Sequence, residues 1–116
     1  MSEIVQQYLA TWNAQGAERE ALLAEHWSPD VQYVDPLAEV SGSAGVGAVI
    51  DAVQAQFPGF TFSQVAEADA HHRQLRFSWG LGPAGEEPVV IGFDVVVLDQ
   101  DGRISDVRGF LDRVPA

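Results

Sequence analysis

From residue 60 onward apolar residues recur at every second position, and this switch of period restricts the chain to a fold with a late run of β-strands. Residues 73 to 82 show it most plainly: Leu75, Phe77, Trp79 and Leu81 fall on one face, Gln74, Arg76 and Ser78 on the other. Residues 60 to 68, 88 to 99 and 103 to 113 also read as strands, with "GPAGEEP" and "DQDG" as the turns joining the last three. Turns this short join antiparallel neighbours. Before Pro58-Gly59 the period is mostly helical. Val5, Tyr8, Leu9 and Trp12 stand at i, i+3, i+4 and i+7 in an amphipathic helix over 3 to 15. A second helix runs from about Ala17 to Trp27, where Pro29 of "SPD" stops it. A loop and a serine cap in "SGSAGVG" lead into a third helix near 44 to 57. One early strand begins "VQYVD" at residue 31. The layout predicts a single α+β domain over residues 1 to 116, with helices against one face of an antiparallel sheet.

Charge narrows the partners. With 6 basic against 17 acidic residues and a net charge of -11, the chain repels nucleic-acid backbones and anionic membrane surfaces, so neither is expected to bind. There is no cysteine, which excludes disulfides, thiolate metal sites and a cysteine nucleophile. The longest apolar stretch falls far short of a bilayer span, and "MSEIVQQ" lacks a basic region followed by an apolar one. A soluble, cytoplasmic protein is expected.

Several motif-like stretches carry no chemistry. In "GSAGVG" the last glycine is followed by Ala48 and Val49, where a phosphate loop needs a lysine and a hydroxyl, so this is a loop and helix cap. "DQDG" begins like a calcium loop, but the twelfth position counted from Asp99 is Phe110 rather than Glu. His71 and His72, near Asp69, are adjacent and point to opposite faces of a strand, which suits surface turn residues better than a shared ion. No G-x-S-x-G occurs, and no histidine sits in a triad context. Neither a metal nor any other cofactor is expected.

Polar groups that interrupt apolar faces say more. Tyr8 lies within the stripe of the first helix. Asp35 continues the row of Val31 and Tyr33, where it either opens a turn with Pro36 or sits at the bottom of a lined cavity. Asp94 stands alone in "VVIGFDVVVL", which is costly unless the acid is paired, protonated, facing a cavity or exposed on an edge strand. The aromatic residues Trp12, Trp27, Phe57, Phe77 and Trp79 are core by default, and line a pocket only if polar groups stand among them.

"VQQYLATWNA", "VQYVDP" and "IGFDVVVLDQDGRISDVRGFLD" together resemble the NTF2-like superfamily, in particular its SnoaL-like and ketosteroid-isomerase-like branch. The resemblance covers nearly the whole chain. It implies the NTF2-like (cystatin-like) fold, a curved antiparallel sheet around a cone-shaped pocket closed by N-terminal helices. Tyr8, Asp35 and Asp94 match the catalytic tyrosine and two aspartates of ketosteroid isomerases. By the same resemblance Trp12, Tyr33, Phe57, Phe77, Trp79 and Val96 would line the substrate pocket. On the last strand Val107, Gly109 and Leu111 would face it, with Arg108, Phe110 and Asp112 outside. The segment between Tyr8 and Asp35 is a few residues longer than in those isomerases, and Tyr33 and Trp79 stand where they tend to have smaller groups.

The activity so implied is proton transfer next to the carbonyl of a small hydrophobic cyclic ketone. Asp35 would be the base, with Tyr8 and a protonated Asp94 as donors to the oxygen. Val90, Val96 and Leu98 would keep Asp94 neutral by excluding water, as such an acid is kept neutral in ketosteroid isomerases. The alternatives are a SnoaL-like cyclase using one aspartate, an epoxide hydrolase, or a non-catalytic dimeric ligand-binding domain. The hydrolase needs an arginine in the pocket, and Arg76 and Arg108 fall on outward faces by parity. A homodimer is expected through the outer sheet face, where Phe93, Val95, Val97 and Phe110 are apolar.

Overall fold

The computed structural model describes residues 2–115. Helix α1 spans Ser2–Asn13 and α2 Gly16–His26, followed by strands β1 (Trp27–Val34) and β2 (Glu39–Ser41), helix α3 (Gly42–Gln56), and strands β3 (Phe60–Gln64), β4 (Asp69–His71), β5 (Gln74–Pro83), β6 (Val90–Leu98) and β7 (Ile104–Arg113). Among the described residues seven strands form one curved, unclosed sheet in the order β2-β1-β7-β6-β5-β3, with β4 paired to β5 beside β3. The helices pack across its inner face. This is the α+β architecture expected from the change of period.

The later strands follow the pattern closely. Burial along β6 alternates without a break: Val90, Gly92, Asp94, Val96 and Leu98 are buried, and Ile91, Phe93, Val95 and Val97 are half-buried on the other face. The differences lie where tertiary contacts override local signals. The second helix ends at His26, one residue early, because Trp27 already adopts an extended backbone and opens β1. Pro29 therefore lies inside a strand, at the register break between Trp27 and Gln32, a position where a missing N–H is tolerated. Strands β2 and β4, of three residues each, have too few positions to show a period. The strand beginning at Phe60 stops at Gln64 rather than 68, and the third helix starts at Gly42. Its N-cap residue is Ser41, whose side chain makes no capping hydrogen bond.

One pairing departs from the antiparallel scheme. β1 runs parallel to β7, bringing Tyr33 beside Val107 and Val34 beside Arg108. That contact places the end of β1, with Asp35, against the middle of the sheet.

Polar bonds then tie the helices around the open end of the cone. Asn13 at the end of α1 holds the Phe62 backbone twice, donating Nδ2 to its carbonyl at 3.0 Å and accepting its N–H at 2.8 Å. Gln54 of α3 donates to the Trp12 and Ala14 carbonyls, both at 2.9 Å, so one free carbonyl in the last turn of α1 and one just beyond it are met. Deeper in, Trp27 donates to Thr11 Oγ1 at 3.1 Å and Thr11 donates to the Gln7 carbonyl at 2.8 Å, which satisfies a buried polar pair. Among the described residues no helix is long and apolar enough to cross a membrane.

Candidate active site

Asp94 sits on the inner face of β6 at 3% exposure, and Tyr8 reaches it from α1 at 2% exposure. The Tyr8 hydroxyl donates to Asp94 Oδ2 in a short hydrogen bond. Three aromatic neighbours fix the phenol: Trp27 stacks on it with centroids 5.4 Å apart, Phe77 meets it edge-on at 5.2 Å, and Trp12 lies at 6.3 Å. Burial is the main reason that the Asp94 carboxyl is pushed up to about 6, and the nearby charge of Asp35 adds to it. The Tyr8 bond and the Trp79 indole work against that rise. Burial and the Asp94 charge likewise hold the Tyr8 phenol well above its ordinary range.

Asp35 follows β1 directly, with its side chain beside that of Tyr33. Its Oδ2 accepts the Tyr33 hydroxyl at 2.6 Å, and its Oδ1 accepts the backbone N–H groups of Leu37 and Ala38, each at 2.8 Å. The Asp35 N–H in turn donates to the Ala38 carbonyl at 2.9 Å. The turn beginning at Asp35-Pro36 and the cavity therefore share this carboxylate. Burial, and then the bond to Asp35, raise the Tyr33 phenol far above its ordinary range.

Gly109 on β7 explains how two acids approach each other. A Cβ built there would lie 2.7 Å from Asp94 Oδ1 and 3.3 Å from Asp35 Cβ, so both acids press against the space a side chain would take. Gly92, the cross-strand partner of Trp79, is similar: its Cβ would stand 2.0 Å from the Trp79 ring, so the indole lies flat on the glycine.

Above these groups opens a cavity of about 470 Å³, within the usual range for small-molecule sites. Tyr8, Asp35 and Asp94 all line it, with Trp12, Tyr33, Phe57, Trp79 and Leu111 from the expected lining. Phe77, Val96 and Val107 do not. They are at most 1% exposed and form core behind the wall, because Tyr8 and Asp94 stand in front of them. Gly109 separates the two acids instead of lining the cavity. Phe110, expected on the outer face, pairs with Phe93 yet also bounds the cavity, and at 58% exposure it stands at the mouth with Leu37 and Val114. Arg76 and Arg108 are exposed and pair with Asp69 and Asp106, away from the cavity.

Sequence reasoning missed Phe62, Val53 and Gln56 as lining residues, and the Tyr33 bond to Asp35. Phe62 carried a signal, since it is the buried position of the alternating strand "FTFSQ". Val53 and Gln56 carried none, because which part of α3 faces the cone depends on how the helix is docked.

The profile of the SnoaL-like domain matches residues 5–107. This chain belongs to the SnoaL-like family. A candidate isomerase of this family from Agrobacterium tumefaciens is 41% identical over 96% of each chain, with a TM-score of 0.89. Fold alone is shared with a candidate ketosteroid isomerase from Kribbella flavida, at 19% identity over 98% of this chain and 78% of that one with a TM-score of 0.72. The same holds for a candidate polyketide cyclase from Sinorhizobium meliloti, at 16% identity over 94% of each chain with a TM-score of 0.73. No match was found among curated proteins. This SnoaL-like chain thus has the NTF2-like fold that its sequence resembles.

Proposed function

We propose that this SnoaL-like protein is a cofactor-independent isomerase that moves a proton next to the carbonyl of a small hydrophobic cyclic ketone. The observation that carries the reading is the pair of carboxyl groups against Gly109, one desolvated and bonded to Tyr8, the other held by three donors. Asp35 Oδ2 keeps a lone pair beside the Tyr33 bond and takes the proton from the carbon next to the carbonyl. With its carboxyl at about 6, Asp94 carries a proton chiefly below neutral pH, and in that form Tyr8 and Asp94 hold two protons between them. One closes their mutual bond and the other is free to meet the charge that develops on the substrate oxygen. Asp35 then returns its proton to another carbon, so no net proton is consumed. The name given to the Agrobacterium relative supports the reaction class.

Tyr33 and Trp79 narrow the cavity without filling it, which favours a substrate site over a plugged association module. The reading includes a homodimer through the outer sheet face, supported by the half-buried Phe93, Val95 and Val97.

The test is conversion of 3-cyclohexenone, and of bicyclic enones, to the conjugated isomers. Asp35→Asn is expected to lower turnover by about 10² or more with substrate affinity kept. Full activity of that variant on a substrate the wild type converts would remove Asp35 as the base.

A further inference from the structure

The cavity holds two acids and no base. Asp35 and Asp94 both line it and both press against Gly109, whereas no lysine, arginine or histidine is among its described lining residues. Basic groups are engaged elsewhere: Arg19, Arg76 and Arg108 pair with Asp51, Asp69 and Asp106, and Arg113 donates to the Pro88 carbonyl. The titratable groups beside Asp94 are Tyr8 from α1, with Tyr33 and Asp35 from the end of β1. Burial raises both phenols, so they stay neutral. Above a pH of about 6 two negative charges therefore share an apolar cavity, and only neutral donors meet them.

One acceptor is left open. The Tyr8 hydroxyl donates to Asp94 Oδ2, but Asp94 Oδ1 closes no hydrogen bond among the described residues and is not sealed off by its neighbours, although the residue as a whole is only 3% exposed. Glycine at 109 keeps the space beside Oδ1 free of a side chain. Asp35 Oδ2 likewise keeps a lone pair beside its bond to Tyr33. A buried carboxylate oxygen without a donor is costly, and a buried charge without a counter-charge more so. A neutral alcohol would supply the proton alone. An ammonium group supplies proton and charge together. The rest of the lining, with Trp12, Phe57, Phe62 and Leu111, is apolar, so the cation that fits carries a hydrocarbon ring. The net charge of -11 also draws cations towards the chain.

We propose that the cavity binds hydrophobic amines in their protonated form, the ammonium donating to Asp94 Oδ1 and Asp35 Oδ2 while the hydrocarbon part lies against the aromatic wall. This goes beyond the ketone reading and does not rest on it, because ketone chemistry uses the protonated form of Asp94 and amine binding the ionised form.

The probes are 1-aminoindane, a cation throughout the range used, and 1-indanol, which has the same shape and no charge. Calorimetry at pH 7.5 is expected to show aminoindane bound about tenfold tighter than indanol, the difference between a charged and a neutral hydrogen bond. At about pH 5, where Asp94 carries its proton, the amine loses most of that advantage and indanol binding changes little. Asp94→Asn removes the advantage at pH 7.5, and Asp35→Asn reduces it. In a ¹³C carboxyl titration, saturating aminoindane lowers the Asp94 midpoint below about 6, and indanol leaves it in place. If either variant does not fold, the wild-type comparison and the titration decide. Failure of both probes to bind at millimolar concentration overturns the proposal, as does an amine bound no tighter than the alcohol at pH 7.5, or an advantage undiminished at about pH 5 or in Asp94→Asn. These readouts involve no carbonyl and no turnover, so enones that prove inert would remove the isomerase reading alone.

Discussion

Replacing Asp94 with asparagine, which has nearly the same volume, should make the protein more stable at neutral pH although it removes an acid from the cavity wall. Burial raises the Asp94 carboxyl from 3.8 to about 6, about two units, and each unit is about 1.4 kcal/mol. Because the folded value lies above the unfolded one, the folded protein holds the proton more tightly. Stability is free of the penalty below pH 3.8, falls as pH rises from 3.8 to about 6, and carries about 3 kcal/mol of penalty above that. Asparagine has no charge to desolvate, and its oxygen still accepts from Tyr8. Its amide needs an acceptor in turn, which returns about 1–2 kcal/mol of the gain. Asp94→Asn should therefore be more stable than wild type by about 1–2 kcal/mol at pH 7.5 and equal or less stable at about pH 4. Urea unfolding of both proteins at the two pH values measures it, and the difference between them cancels the titration of the other carboxylates. A difference that does not change with pH, or a variant less stable at pH 7.5, would refute the reasoning.

Tyr8→Phe removes the bond that lowers the Asp94 carboxyl, so Asp94 should titrate above 6, and a ¹³C carboxyl titration showing an unchanged or lower midpoint counts against this geometry. Gly109→Ala puts a methyl 2.7 Å from Asp94 Oδ1, which should cost about 1–3 kcal/mol in urea unfolding and move the Asp94 titration; a silent substitution means that the acids do not meet there. Light scattering should show a dimer that Phe93→Arg dissociates, and a wild-type monomer removes the outer-face interface.

The parts of the fold legible in the sequence are those whose signal is local and repeated. Nine consecutive residues of β6 alternate, so both the strand and the inward direction of Asp94 follow from parity. The four apolar positions of α1 place Tyr8 on the buried side in the same way. Parity states direction but not depth. Phe77, Val96 and Val107 face inward as expected, yet they lie behind Tyr8 and Asp94, and nothing local tells a residue at a cavity wall from one beneath it. Contacts between distant segments were illegible for a related reason. The parallel pairing of β1 with β7 joins residues more than seventy positions apart. The Tyr33 bond to Asp35 is a different case, because parity already put both residues on one face and only their side-chain rotamers were missing.

Asp35 posed a choice between turn and cavity, and the structure removes the opposition: Oδ1 accepts the N–H groups of the turn, Oδ2 accepts the Tyr33 hydroxyl, and the residue lines the cavity. This division makes asparagine an informative replacement. Its oxygen can keep the Leu37 and Ala38 N–H groups while its amide turns to the Tyr33 oxygen, so the turn persists and the lone pair is lost. The substitution has a second effect, however, because the Asp35 charge helps to raise Asp94. In Asp35→Asn the Asp94 carboxyl should fall below about 6, leaving fewer protonated donors for the substrate oxygen at neutral pH. Part of any lost activity at pH 7.5 would then act through Asp94. Comparing turnover of wild type and variant at about pH 5 and at pH 7.5 separates the two routes, since Asp94 is more fully protonated in both proteins at the lower value. A deficit of similar size at both pH values assigns the loss to the missing base. Recovery of the variant at about pH 5 would show that Asp35 acts only by tuning its neighbour.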